Sequence, residues 1–137
     1  WVDPEANCFW LSPNPDWWEP GPHDDPVMVV SDHDGAGPEL IGYTNPAPET
    51  YLVGVHVHND HGYGVSSAWI RIWVHGQLVY EMLPVPLVDS DLWTVARIEW
   101  PSGAVAPCYD GPAWCIMPGY ETGIFQREGT EETCGPF

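Results

Sequence analysis

The segments YLVGVHVH, residues 51–58, and SAWIRIWVH, residues 67–75, decide the fold because apolar side chains recur at every second position in each. A period of two is the signature of a β-strand with one buried face. The opposite face of residues 67–75 carries Trp69, Arg71, Trp73 and His75. We expect the two segments to pair as a hairpin across the loop NDHGYGVS and to gather two Trp, one Arg and up to three His on one outer face.

Further apolar runs of strand length, separated by turn residues and without helical periodicity, predict more β-strands along the chain. They lie at residues 27–31, 40–43, 78–83 and 92–100, and the segment HGQ at 75–77 predicts a tight turn into the run at 78–83. The pattern predicts an all-β fold, an antiparallel β-sandwich of the jelly-roll or immunoglobulin-like kind. We expect a single domain with three parts: an extended Pro/Trp-rich N-terminal segment, 1–26, the sandwich core, 27–105, and an irregular, disulfide-bonded C-terminal tail, 106–137.

Composition excludes several classes of partner. The formal net charge of −17 makes binding to nucleic acid or to an anionic membrane surface unfavourable. Nine Trp and a hydrophobic fraction of 44% supply enough apolar surface for a folded protein rather than a disordered one. No apolar run approaches the roughly 20 residues that span a bilayer, so we expect no membrane insertion.

Four cysteines, with no Cys-x-x-Cys pair, favour two disulfides over a zinc site. A local Cys108–Cys115 bond would leave Cys8 to join Cys134 and tie the two ends together, although four cysteines allow three connectivities. Disulfides indicate an oxidising, extracellular setting, so we expect a secreted or cell-surface protein. The chain begins WVDPEANC without a basic and then apolar leader, which is typical of a mature or processed product.

An acidic loop follows the run at 27–31 and carries Asp32, Asp34 and Glu39 among glycines. Calcium binds several converging oxygen ligands, and Asp-x-Asp-Gly supplies two carboxylates beside a residue that turns tightly. These three residues are therefore candidate calcium ligands. The spacing does not match an EF-hand, and the alternative is a solvated turn whose Asp side chains cap their own backbone.

Three histidines, His56, His58 and His61, form a second candidate metal site, for copper or zinc. Residues 56 and 58 share a strand face, and zinc would need a fourth ligand such as His75 or Asp60. The alternative is a polar outer strand face followed by a loop histidine.

Trp69 and Trp73 point the same way on either side of Arg71 and need cover if they lie on a solvent face. An interface with protein, either copies of this chain or other extracellular surface proteins, is favoured over a platform for polysaccharide, because the flanking loops lack clustered hydrogen-bonding side chains. No nucleophile elbow, His-Glu-x-x-His or phosphate loop is present, so we expect no enzyme.

From residue 8 to residue 105 the sequence resembles the YfaP-like domains, a group of secreted bacterial β-sandwiches found beside von Willebrand A and other adhesive modules. The resemblance lies in NPDW at 14–17, DHDGAGPE at 32–39, YLVGVH at 51–56, DHGYG at 60–64, WTVA at 93–96 and WPSG at 100–103. It implies the fold more than a function.

Domains of that kind open with a strand of alternating Asp and Leu, which this sequence lacks. A sandwich without it exposes an unpaired edge. A neighbouring copy could cover the edge by strand addition and build a filament, with Ile124 and Phe125 in the donor segment 122–127. The alternatives are that the N-terminal segment covers the gap or that the sequence is a fragment. The sequence thus predicts a calcium-stabilised, self-assembling structural or adhesive subunit, with a carbohydrate-binding module as the main alternative.

Overall fold

The computed structural model describes residues 7–9, 12–32, 37–108 and 115–120, and these residues form an all-β fold with antiparallel strand pairs throughout. The predicted fold class is confirmed. None of the described residues is helical, so none forms a helix that could cross a membrane. The chain divides into two units near residue 50, and each is described by itself.

The first unit contains a two-stranded sheet of β1, Pro26–Val30, and β2, Leu40–Tyr43. Carboxylates help to hold the segment before β1. Asp25, Asp24 and Asp16 accept hydrogen bonds from the backbone N–H groups of Trp17, Glu19 and Gly21, at 2.6, 3.0 and 3.2 Å. Prolines remove backbone donors along this segment, and the Asp side chains satisfy donors that remain.

The described part of the second unit holds six strands in two sheets. The strands are β3, Thr50–His56; β4, Ser66–Val74; β5, Gln77–Leu87; β6, Leu92–Glu99; β7, Ala104–Pro107; and β8, Ile116–Met117. In one sheet β6 is central, with β3 on one side and with β7 and β8 paired to its two ends. The other sheet is the β4–β5 hairpin.

One hydrophobic cluster joins side chains from both sheets of this unit. Val85 and Leu87 of β5 pack with Trp93 and Val95 of β6, and all four are buried. Residues 92–96 of β6 are buried on both faces, and β6 is the strand with neighbours along both of its edges. Two antiparallel sheets around one cluster are consistent with the predicted β-sandwich.

The predicted hairpin between residues 51–58 and 67–75 is wrong. β3 pairs with β6, and β4 pairs with β5 through the two-residue turn His75–Gly76, where both residues have positive φ, 50° and 74°. That short turn was predicted and is confirmed. It closes a hairpin at little entropic cost, and so β4 takes the adjacent strand as its partner and not the strand before a longer loop.

Strand bounds differ from the predicted ones where proline or low hydrophobicity obscured the pattern. β5 continues to Leu87 through Pro84 and Pro86, which an edge strand tolerates because one side of its backbone has no ladder to maintain. The tail was expected to be irregular from residue 106, yet β7 continues to Pro107 and β8 lies further on. Both strands are short and depend on pairing with β6. That pairing cannot be predicted from the local sequence pattern.

The predicted Cys108–Cys115 disulfide is confirmed. It joins the end of β7 to the start of β8, next to β6. The N–H of Cys108 donates to the carbonyl of Val95, and the N–H of Thr94 donates to the carbonyl of Cys115, at 2.9 and 3.1 Å. The bond therefore holds both short strands against the central strand.

Candidate functional site

The outer face of the β4–β5 hairpin is the most distinctive surface of the second unit. The alternation predicted for β4 is confirmed: residues 68, 70, 72 and 74 turn inward, whereas Trp69, Arg71 and Trp73 are exposed. Trp69 and Trp73 keep 56% and 57% of their surface, and Leu83 of β5 keeps 81%. Large apolar side chains exposed together mark an interaction surface more often than single exposed residues do. We call Trp69, Arg71, Trp73, Glu81 and Leu83 the outer face.

Arg71 organises the middle of the outer face. Its Nε donates to Glu81 Oε1 at 2.7 Å across the β4–β5 pair, and its guanidinium carbon lies 4.1 Å from the ring centroid of Trp69. The salt bridge is exposed, so its contribution to stability is small, but it holds the guanidinium against the indole. The indole is thereby fixed in an exposed position.

A shallow groove of about 350 Å³ runs beside the same indole. Trp69, Glu81, Met82, Leu83 and Pro84 line it. The groove exists because β5 carries an extra residue opposite position 69: Ile70 pairs with Met82, while Ala68 pairs with Val85. Sequence reasoning identified the Trp and Arg positions but missed Glu81 and Leu83, because a bulge changes which β5 side chains face outward.

The predicted gathering of these Trp with the histidines is wrong, because His56 belongs to β3 in the other sheet. His56 and His58 are close, with ring centroids 6.0 Å apart, and His61 lies in an exposed turn with φ of 50°. The described residues contain no group of three or more His, Cys, Asp or Glu side chains placed to hold a metal ion. The copper or zinc site stays a prediction without geometric support.

His56 instead has a structural contact. Its Nε2 lies 3.1 Å from the carbonyl oxygen of Tyr120, and the two rings meet edge to face. Burial lowers the pKa of His56 below its ordinary value, opposed in part by this hydrogen bond and by Asp89, while the nearby His58 lowers it further. The neutral imidazole is thus the form that the fold accommodates.

The candidate calcium ligands fall in the first unit. Asp32 accepts a hydrogen bond from the N–H of Gly37, the backbone capping that was the alternative to a metal. Burial raises the pKa of Glu39, and the charge of Asp32 raises it further, although a hydrogen bond to its own backbone lowers it. Asp34 lies outside the described residues, so the calcium site stays a prediction.

The other predicted residues are distributed as follows. Cys8 is half-buried and has no disulfide partner among the described residues; its Sγ lies 3.5 Å from the carbonyl oxygen of Pro13, and burial raises the pKa of its thiol. Its predicted partner Cys134 lies outside the described residues, as do Ile124 and Phe125. The second disulfide and the donor segment therefore stay predictions.

The chain matches no known protein-family model, no curated protein and no solved structure at a significant level. The resemblance to YfaP-like domains accordingly stays a prediction. What the chain does must be argued from its own surfaces.

Proposed function

We propose that this protein is a non-enzymatic, extracellular structural or adhesive subunit that associates with copies of itself through the outer face of β4–β5. The observation that carries the proposal is the joint exposure of Trp69, Trp73 and Leu83 on one hairpin. Burying a large apolar side chain contributes about 1.5–3 kcal/mol, so covering three of them is a substantial driving force for association.

The extracellular part of the proposal rests on chemistry. A disulfide between Cys108 and Cys115 persists in oxidising compartments. A net charge of −17 favours solubility, because two copies that approach in an arbitrary orientation repel each other. Association then depends on a local surface with little negative charge, and Glu81, the acid of the outer face, is paired with Arg71.

Calcium is part of the proposal as a stabiliser at Asp32, Asp34 and Glu39. Its support is that Asp32 lies close enough to Glu39 for its charge to raise the pKa of that carboxyl. A divalent cation bound there would relieve the repulsion between the two carboxylates. It would also link the stability of the loop after β1 to the external calcium concentration.

The test compares the wild-type protein with the double variant Trp69→Thr, Trp73→Thr by sedimentation velocity and negative-stain imaging. Threonine is compatible with an exposed strand, so the hairpin should survive. We expect wild-type oligomers or arrays and monomers of the variant. The matched control is Tyr63→Thr, which removes another exposed aromatic side chain outside the outer face and should leave assembly unchanged.

The carbohydrate-binding alternative has its own outcome in that experiment. A wild-type protein that is monomeric, and that sediments with insoluble polysaccharide only while Trp69 and Trp73 are present, would replace self-association with glycan binding. Assembly that survives the double variant would contradict the role of the outer face.

A further inference from the structure

The free edge of β4 is a second surface that needs a partner. β4 and β5 form a two-stranded sheet, and no other strand of the described residues pairs with either of its edges. An unpaired edge presents a row of backbone N–H and C=O groups that can pair with another chain. The two edges of this hairpin are not equally able to do so.

The β5 edge is poorly suited to accept a strand. Pro84 and Pro86 lack the N–H that a ladder requires. β5 also carries both β-bulges of the hairpin. Trp73 pairs with Leu78 and Ile72 with Tyr80, so β5 has one extra residue between these two pairs. The second extra residue of β5 lies opposite Trp69. Bulges and prolines are the usual protection of an edge.

The β4 edge has neither protection. Its nine residues, Ser66–Val74, include no proline and no glycine, and the extra residues of both irregularities belong to its partner. The other edge strands of this unit are less suitable: β3 contains Gly54, and β7 has four residues and ends in Pro107. β4 is thus the longest regular strand with an open edge in the described part of the second unit.

We propose that β4 pairs with β4 of a second copy, antiparallel and about a two-fold axis. Directly opposite residues of an antiparallel pair share a face, so the two core faces coincide only if even-numbered residues oppose even-numbered ones. Full overlap of the nine residues meets this condition, because Ile70 then opposes the partner's Ile70. The contact is self-complementary, as a two-fold interface requires.

The side chains favour the same register. Trp69 opposes the partner's Arg71 on the outer face, so each guanidinium can contact an indole of the other copy as it does within one copy. A shift of two residues would instead place Arg71 opposite the partner's Arg71, which repels. Between these two registers, repulsion between the two Arg71 side chains disfavours the shifted one, and full overlap also pairs the largest number of β4 residues.

The charge of β4 is also compatible with the approach of a second copy. Residues 66–74 include no Asp or Glu and contain Arg71, one of three basic residues in a chain of net charge −17. The strand itself thus adds no negative charge to a contact between two copies. Added salt screens the remaining repulsion, so dimerisation should strengthen with ionic strength.

The result is a continuous four-stranded sheet in the order β5, β4, β4, β5, with the outer faces of two copies side by side. The inference rests on the proposed self-association and specifies its first contact. It assigns the backbone edge to dimerisation and leaves the joined outer faces for further assembly.

The test uses two matched variants, W69K and W69E, each of which removes the same indole and adds one charge. In the proposed register the new lysine faces the partner's Arg71, whereas the new glutamate pairs with it, twice per dimer. We expect the dimer dissociation constant of W69K to exceed that of W69E by about tenfold in sedimentation equilibrium. Overall charge alone predicts the reverse, since W69E makes each copy more acidic.

A second measurement keeps the test independent of the variants. Hydrogen exchange of wild-type β4 amides should slow as protein concentration rises, while β7 amides should not change. Oligomers of equal strength in W69K and W69E, without this protection, would overturn the β4 contact and leave the proposed self-association intact. A wild-type chain that is monomeric at about 1 mM would overturn both.

Discussion

Two acidic side chains, one between β5 and β6 and one between β3 and β4, show how single residues hold this fold. Asp91 is 6% exposed, and its Oδ2 accepts a hydrogen bond from the N–H of Val88 at 2.8 Å. Asp60 has a similar role in the β3–β4 loop, where its carboxylate accepts hydrogen bonds from the N–H groups of Gly62 and Gly64. Acidic residues in these turns thus replace missing backbone partners.

His56 makes stability depend on pH. Burial lowers its folded-state pKa below the unfolded value of 6.5, so the unfolded chain binds more protons and stability falls as the pH drops through 6.5. We expect the melting temperature to fall between about pH 8 and pH 5.5, and expect the variant His56→Gln to lose most of that slope. His58→Gln, the exposed neighbour, is the matched control, and an unchanged slope in His56→Gln would contradict the assignment.

Sequence reasoning performs well at this scale where a side chain's direction follows from strand alternation, as for Trp69, Arg71 and Trp73. The contact of His56 with Tyr120 could not be predicted, because the two residues are far apart in the chain. Tyr120 is positioned by a hydrogen bond from its N–H to the carbonyl of Ser90, at 2.7 Å. No local period carries that information.

Among the elements, the turns impose the strictest requirements. Gly76 and Gly103 both have positive φ, 74° and 70°, but only a Cβ at position 103 would meet a neighbour, Val74 Cγ1, at 2.8 Å. Position 103 therefore combines backbone strain with a steric conflict between the β6–β7 turn and β4.

This difference predicts unequal costs for one substitution. Gly76→Ala should lower the free energy of unfolding by about 1 kcal/mol through backbone strain alone. Gly103→Ala should cost about 1–3 kcal/mol more, because Val74 must move within the core. Urea denaturation of both variants measures the difference, and equal costs would show that the core absorbs the added methyl group freely.

The Cys108–Cys115 disulfide should stabilise the edge of the β6 sheet. Its loop is short, with a separation of seven residues, so removing it with the pair C108S, C115S should cost about 2–3 kcal/mol on chain-entropy grounds. Exchange of the Thr94 amide, which donates to the carbonyl of Cys115, should accelerate in that variant. Exchange of Val57, whose N–H donates to the carbonyl of Asp91, serves as the reference.

Elements with strong local signals were predictable, namely β4 and the His75–Gly76 turn. The partner of β3 was not, because hydrophobic alternation fixes which face a strand buries but leaves open which strand lies beside it. Because β3 was predicted to pair with β4, its histidines were predicted to lie in the same sheet as Trp69 and Trp73, which is wrong.

For the whole molecule, the charge of −17 sets the conditions of stability. Cations in general should raise the melting temperature by screening, and a specific calcium site should add to this. We expect chelation to lower the melting temperature of the wild-type protein at constant ionic strength, and to have no effect on the variant Asp32→Asn, Glu39→Gln. Sodium chloride of equal ionic strength controls for screening. A melting temperature that is the same in sodium chloride as in calcium chloride would contradict the calcium site.

The two-residue turn at His75–Gly76 also bears on the order of folding. A hairpin closed by so short a turn forms in about 1–10 μs, whereas β3 meets β6 only after β4 and β5 have been enclosed in the intervening loop. During synthesis the β4–β5 hairpin is therefore complete before the strand that covers its core face has left the ribosome. In that interval the apolar core face of the hairpin has no cover from its own chain, so the nascent chain passes through a stage that is prone to aggregation.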